Sequence, residues 1–280
     1  MIHFFSLLKE FYYPALQHGF YSKQHRKAGL FLTLLYLLFR AKFSNEREVT
    51  VRLFGFEITA NSPQTLLRLI KEIFLEQVYL FQTTNPSPRI IDGGANIGIS
   101  VLYFKSLYPK AHITAIEPNP TAFFYLEKNI ALNALSDVEA VPACLSDLKG
   151  KERFYVSPSG DIINGSLYPE IGISYLQEVE SVCLSDYLAE GEVNLVKLDV
   201  EGAERQVYQD LKMSGNLAQS QQYLIEYHAV EGLPDIDSEM VDYFEQHGFY
   251  SLSKKSSSSY MDSQNRLLHF AQQERVVSAL

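Results

Sequence analysis

From Arg89 onward, short apolar runs alternate with stretches whose apolar positions recur every three or four residues. The runs at 89–92, 112–116, 138–143, 193–198 and 223–226 read as buried strands. The stretches between them predict helices over 97–107, 120–133, 203–211 and 238–247. Strand–helix alternation signals an α/β fold, a mostly parallel sheet covered on both faces. The segment 147–181 breaks this rhythm and reads as a hairpin and loop inserted before the next sheet strand. Beyond 249–253, a polar run at 254–259 predicts a turn, and 266–272 predicts a closing antiparallel strand.

The chain ahead of this core has a different texture. EVTVRLFGFEIT (48–59) reads as two short strands around Gly55, and SPQTLLRLIKEIFLEQVYLF reads as one amphipathic helix with Ser62 as its N-cap. Asn85-Pro86-Ser87-Pro88 ends that pattern. Residues 28–39 are strongly apolar and flanked by Arg26, Lys27, Arg40 and Lys42, yet fall short of the roughly 20 residues a bilayer span needs. A buried or interfacial helix fits. The divisions are a helical N-terminal extension (1–47), a hairpin and helix (48–88), and the main domain (89–280).

Composition narrows the partners. A net charge of −9 argues against a nucleic-acid partner bound over a broad surface. The first 45 residues reverse that sign, with Lys9, Lys23, Arg26, Lys27, Arg40 and Lys42 against Glu10 alone. Such a segment points to peripheral membrane contact through lipid headgroups, or else to a solvated helical surface. Cys144 and Cys183 are too few for a disulfide framework or metal cluster, and the start lacks the marks of a signal peptide. Both features point to the cytoplasm, with membrane association as the variant.

The sharpest chemical signal is PRIIDGGANIGIS, an apolar strand ending at Asp92 that leads into a glycine-rich turn and a helix. Such a turn lets the backbone approach a ligand at the carboxyl ends of the strands. A dinucleotide turn wants G-x-G-x-x-G, but here Ala95 takes the middle glycine position and Asp92 precedes the turn. An acid there repels a pyrophosphate and suits a cation such as S-adenosylmethionine, which carries a sulfonium and an ammonium. Glu117, closing the next strand in AIEPNP, can accept both hydroxyls of a ribose. The alternatives are a nicotinamide-dependent oxidoreductase and a non-catalytic nucleoside-binding module.

The chain resembles the FkbM-type methyltransferases through IDGGANIGIS, IEPNPTAFFYLEKNIALNAL, ACLSDLKGKERFYV, VCLSDYL, VNLVKLDVEGAERQVYQDL and YLIEYH. The resemblance covers residues 89–248. It implies a class I methyltransferase (Rossmann-like) seven-stranded sheet whose last strand is antiparallel. It also implies methyl transfer to a hydroxyl oxygen, often on a sugar or natural product, so a small-molecule or glycan acceptor. By resemblance, Asp92, Gly94, Asn96 and Gly98 line the methionine part of the cofactor, and Glu117 holds the ribose with Asn119 beside it. Ser146 and Asp147 approach the adenine. Gly93 stands where the family often has an aliphatic residue, a departure expected to loosen the turn.

A second acidic cluster closes the neighbouring strands. KLDVEGAE ends one at Asp199, and YLIEYH puts Glu226 and His228 on one face of the next. His228 is the expected general base, because an imidazole titrates near neutrality. Glu226 would orient its ring or bind substrate, Asp199 would hold the cofactor ammonium, and Glu201 would cap the following helix. The less favoured alternative has Asp199, Glu201 and Glu226 binding a divalent cation. Lys197, inside an apolar strand, is expected to meet a carboxylate. DIINGS (161–166) is a candidate lid, and the aromatics of 72–81 are a candidate pocket wall.

Overall fold

The computed structural model describes residues 27–43, 48–156, 166–168, 175–252 and 265–272. The basic start before Lys27 and residues 161–165 of the candidate lid lie outside them. Helix α1 (Lys27–Phe43) precedes a hairpin of β1 (Val49–Leu53) and β2 (Phe56–Ala60), then helix α2 (Pro63–Leu69). Ser62 caps α2 as expected, its hydroxyl accepting the Thr65 N–H at 3.1 Å. The helix does not reach Phe81, however. It widens into a π-helical turn, Ile70–Leu75, and Gln77 then turns left-handed at φ +55°. Tyr79 and Phe81 therefore lie on irregular chain rather than on a helical face.

The core follows in chain order: β3 (Arg89–Gly93), α3 (Ile99–Leu107), β4 (His112–Ile116), α4 (Pro120–Leu132), β5 (Val138–Val141) and β6 (Ala143–Leu145). Next come β7 (Gly150–Val156), β8 (Tyr175–Val182), α5 (Leu184–Ala189), β9 (Leu195–Leu198), α6 (Glu204–Ser214), β10 (Gln222–His228), α7 (Asp237–Gln246), β11 (Phe249–Ser251) and β12 (Asn265–Gln272). The single strand expected over 138–143 is two. Pro142 has no N–H to give a ladder, so β5 stays with β4 while β6 joins β8 and β7 in a separate three-stranded sheet.

The main sheet has the order β11-β12-β10-β9-β3-β4-β5, and β12 runs antiparallel to both neighbours. This is the class I methyltransferase fold. Period-two alternation builds its two cores. Ile90, Leu195 and Leu224 point into the layer holding α1 to α4 and the hairpin, while Ile91, Val196 and Ile225 point under α5 to α7. The hairpin is fastened to α4 by amides. Asn129 accepts from Thr59 N–H and donates to the carbonyls of Thr59 and Ile97, and Asn133 bridges both backbone groups of Glu57. Asn129 thus ties the N-terminal layer directly to the glycine-rich turn.

Candidate active site

A cleft opens at the carboxyl ends of β3, β4, β9 and β10, lined among others by Gly94, Asn96, Glu117, Asp199, Glu201 and Glu226. Arg68 and Glu72 from the α2 region, and Tyr79 beyond it, close one side. The turn after β3 comes so close to β9 that only glycine fits at 94. Its φ is +74°, and an added Cβ would stand 1.8 Å from the carbonyl oxygen of Asp199. Asn96 also adopts positive φ, 49°, with its side-chain oxygen accepting the next N–H. Gly98 caps α3 at φ +85° against Leu126 and does not line the cleft.

Gly93 corrects an expectation. It is the last residue of β3, and its missing side chain leaves no slack: a Cβ there would meet Leu145 Cδ1 at 2.6 Å and Leu198 Cδ2 at 3.1 Å. Those leucines occupy the space, so the turn is not loosened.

Asp92 also sits elsewhere than its sequence position suggests. It is fully buried behind the turn and absent from the cleft lining. The β3–β9 register sets Lys197 directly opposite it, with Nζ 3.2 Å from Asp92 Oδ1, while Ser100 donates to Oδ2 at 2.5 Å. Lys197 Nζ also reaches Asp199 at 3.6 Å and donates to the carbonyls of Gly93 and Gly94 at 3.2 and 2.8 Å. Burial alone would lower the Lys197 pKa, but Asp92 and Asp199 outweigh it and raise it. Lys197 thus meets a carboxylate as expected, and that partner is Asp92.

Glu117 ends β4 with its carboxylate fixed by two backbone donors, Asn96 N–H and Asn119 N–H, each at 2.8 Å. Burial pushes its pKa up to about 7 against the pull of those donors and of Lys197. Asn119 itself is a helix cap. Its side chain accepts from the Thr121 and Ala122 N–H groups and does not line the cleft. Ser146 and Asp147 are also not among the lining residues, although Cys144 and Leu145 just before them are.

At the ends of β9 and β10 the acids converge on one imidazole. His228 Nε2 lies 3.5 Å from Glu201, 3.9 Å from Glu226 and 4.0 Å from Asp199, while Nδ1 lies 3.1 Å from Glu204. Burial would pull the His228 pKa down, but Glu204, Glu201 and Asp199 more than offset this and hold it well above an ordinary imidazole. Removal from bulk water, with Asp199 adding to it, raises Glu226 to about 7. The same cause raises Glu201 to about 8, with Asp199 and Glu204 reinforcing it. Burial acts upward on Asp199 too, but Lys197, His228 and the Tyr79 hydroxyl lower it. Tyr79 donates to Asp199 Oδ2 at 2.8 Å and lies 3.3 Å from Glu226 Oε2.

Glu201 does not cap α6. Glu204 does that work, its oxygens accepting the N–H groups of Val200 and Gly202 at 3.0 Å each. Glu201 takes positive φ, 51°, which turns it into the cleft. Glu204 was missed in the sequence, although a glutamate just after the Gly202-Ala203 turn is a legible capping signal. Tyr79, one of the aromatics expected to wall the pocket, does line the cleft, but nothing local marked its hydroxyl as a partner of Asp199 and Glu226. The other aromatics of 72–81 are core, Phe74 stacking on Phe54 and Phe81 packing on Phe104. The divalent-cation alternative is not borne out, since Lys197, His228 and the Tyr79 hydroxyl already attend these carboxylates.

The raised carboxyl and imidazole groups give a signed prediction. Between about pH 5 and 8 Glu117, Glu201, Glu226 and His228 together hold more protons in the folded protein than in the unfolded chain, outnumbering His269, which burial lowers to about 4, so stability falls as pH rises through that window. Melting temperatures across this range should decline with pH, and Glu201→Gln should flatten the slope. A slope of opposite sign would contradict the cluster as described.

The family profile described as the methyltransferase FkbM domain matches residues 92–250, more than half of the chain. Methyltransferase sdnD of Sordaria araneosa is 34% identical over 172 residues, covering 50% of this chain and 66% of that protein. The match thus takes in just under two thirds of that relative's length. The 31-O-demethyl-FK506 methyltransferase FkbM of Streptomyces tacrolimicus is 27% identical over 215 residues, covering 65% of this chain and 80% of its own. The 2-O-methyltransferase NoeI of Sinorhizobium fredii is 30% identical over 139 residues, covering 44% and 56%. Neither the oxidoreductase nor the non-catalytic alternative finds support among them. The profile match spans the glycine-rich turn, Glu117 and the Asp199–His228 acids together, and on that ground the chain belongs to the FkbM methyltransferase family.

Proposed function

We propose that this chain uses S-adenosylmethionine to methylate a hydroxyl oxygen on a sugar or natural-product acceptor. The observation that carries the reading is a set of part-buried or buried carboxylates around one cleft: Glu117, Glu201 and Glu226 are each raised above the ordinary carboxylate range by burial, with neighbouring carboxylates adding to it. A cationic, ribose-bearing ligand suits that set. Gly94 and Asn96 bring the backbone of the turn to the cleft wall, where such a ligand can approach it. The names of two relatives, a 31-O-demethyl-FK506 methyltransferase and a 2-O-methyltransferase, support oxygen as the target.

When bound, the cofactor supplies an electrophilic methyl group on a sulfonium. Glu117 accepts the ribose hydroxyls with lone pairs left over from its two backbone donors. Glu226 accepts the acceptor hydroxyl proton, since a carboxyl near pH 7 is a matched base at neutrality. His228, largely imidazolium, is a positioning residue that holds the carboxylates of Glu201, Glu226 and Asp199 in place. Asp199, kept ionised, faces the cofactor ammonium. Asp92 acts from behind through Lys197. Holding the acceptor oxygen in line with the methyl supplies much of the rate.

An acceptor screen with methyl-labelled cofactor tests this, run with and without Mg²⁺ and chelator. Label should appear on a hydroxyl oxygen, unchanged by chelator; label on nitrogen or carbon would overturn the reading. Glu226→Gln should lower kcat about 100-fold at neutral pH and abolish its rise through about pH 7. Undiminished turnover would remove Glu226 as the base.

A further inference from the structure

Helix α1 has two apolar faces, and the core uses only one. At about 100° per residue, Leu34, Leu37 and Leu38 share the buried side. Leu32, Tyr36, Phe39 and Phe43 fall within about 40° of a single line on the opposite side, and they are 60%, 43%, 55% and 62% exposed. One exposed apolar residue is ordinary; four in register form a strip that calls for an occupant. Arg40 and Lys42 stand about 80° to either side of that line. Their charged ends ride over its rings, Arg40 at 5.7 Å from the Tyr36 centroid and Lys42 at 5.4 Å from Phe43.

An apolar strip edged by cations is the design of a helix that lies in a membrane interface. Among the described residues no helix is long and apolar enough to cross a membrane, and α1 has 17 residues. Charge singles out the occupant. The first 45 residues carry six Lys and Arg against one acid, although the whole chain is at −9. A second copy laid strip to strip would bring Arg40 and Lys42 against their own kind. An anionic bilayer answers both the strip and its edges.

We infer that the outward face of α1 is a peripheral docking surface for an anionic lipid bilayer. Leu32, Tyr36, Phe39 and Phe43 enter the headgroup–acyl boundary, and Arg40 and Lys42 meet the phosphates. The helix packs on α2, and the next wall of the cleft is built from α2's own Arg68 and Leu69. Docking therefore sets the cleft one helix away from the bilayer.

Co-sedimentation of the full chain with phosphatidylcholine vesicles, plain or containing phosphatidylserine, tests the inference. The protein should bind the phosphatidylserine vesicles, and Phe39→Ser/Phe43→Ser should weaken that binding about tenfold. Lys42→Gln should weaken it about fivefold, and high salt should abolish the preference over plain vesicles. Unchanged melting temperatures would certify that the variants fold; Leu32→Asn, a milder change on the same strip, stands in should the double variant not fold. Equal binding to both vesicle types, or no effect of the strip variants, would overturn the inference. So would a dimer in light scattering that Phe39→Ser/Phe43→Ser dissociates, because a second copy would then be the occupant.

Discussion

Gly94→Ala is expected to remove cofactor binding, weakening S-adenosylhomocysteine by about 1000-fold or more, which is about 4 kcal/mol. The reason is geometric. An alanine Cβ would stand 1.8 Å from the Asp199 carbonyl oxygen in a backbone held at φ +74°. The obstacle is main chain at the end of β9, so relief requires the β3 turn and the Asp199 loop to separate. Those two segments carry Asn96 and Asp199 into the cleft. Gly93→Ala is the control: its Cβ would meet the tip of the Leu145 side chain at 2.6 Å, which can rotate. That variant should lose only about 1–3 kcal/mol of stability, the usual cost of overpacking, and should still bind. Calorimetry and urea unfolding on both variants check this; wild-type affinity in Gly94→Ala would show that the turn does not touch the ligand.

Lys197→Met is expected to destabilise the fold by about 3–5 kcal/mol, the usual cost of stripping one partner from a buried ion pair. Asp92 is fully buried and its Oδ1 lies 3.2 Å from Lys197 Nζ, so without the ammonium that carboxylate keeps only the Ser100 hydroxyl. Asp199 loses its largest downward influence at the same time. Adding Asp92→Asn should restore much of the loss, because an amide tolerates the site without a counter-charge. Urea unfolding of the single and double variants gives the coupling directly. Simple addition of the two penalties would contradict the pairing.

The sheet was legible because its strands are local apolar runs and its turns carry Gly, Pro, Asn or Asp. Glu117 was legible for the same reason: it closes a strand within a short motif, and one of its two N–H donors, Asn119, is only two residues on, the other being Asn96 in the glycine-rich turn after β3. What escaped depends on register and on distance along the chain. Asp92 looks like a ligand for a cation in sequence, and it is one, but the cation is Lys197, placed opposite it by β3–β9 pairing. Tyr79 reaches Asp199 and Glu226 from a part of the chain that the periodicity assigned to a helix. The π-helical turn and the left-handed Gln77 defeat that periodicity. His228 was recognisable as part of the cluster, but its proton affinity is set by Glu204, whose capping role hides its second job of holding the ring. Pro142 was in plain view as a ladder breaker, and the strand split follows from it.

Glu117 is where the electrostatic and the nucleoside readings meet, so calorimetry on wild type and Glu117→Gln is the most direct measurement. S-adenosylmethionine and S-adenosylhomocysteine should each bind wild type at one site, and NAD should give no heat. Binding of the sulfonium form should tighten from pH 6 to 7.5 as Glu117, Glu201 and Glu226 give up their protons. Glu117→Gln should cost roughly 10- to 100-fold in affinity, the worth of charge-assisted bonds to the ribose. Saturable NAD binding with none of the methyl donor, or full affinity in Glu117→Gln, would contradict the account.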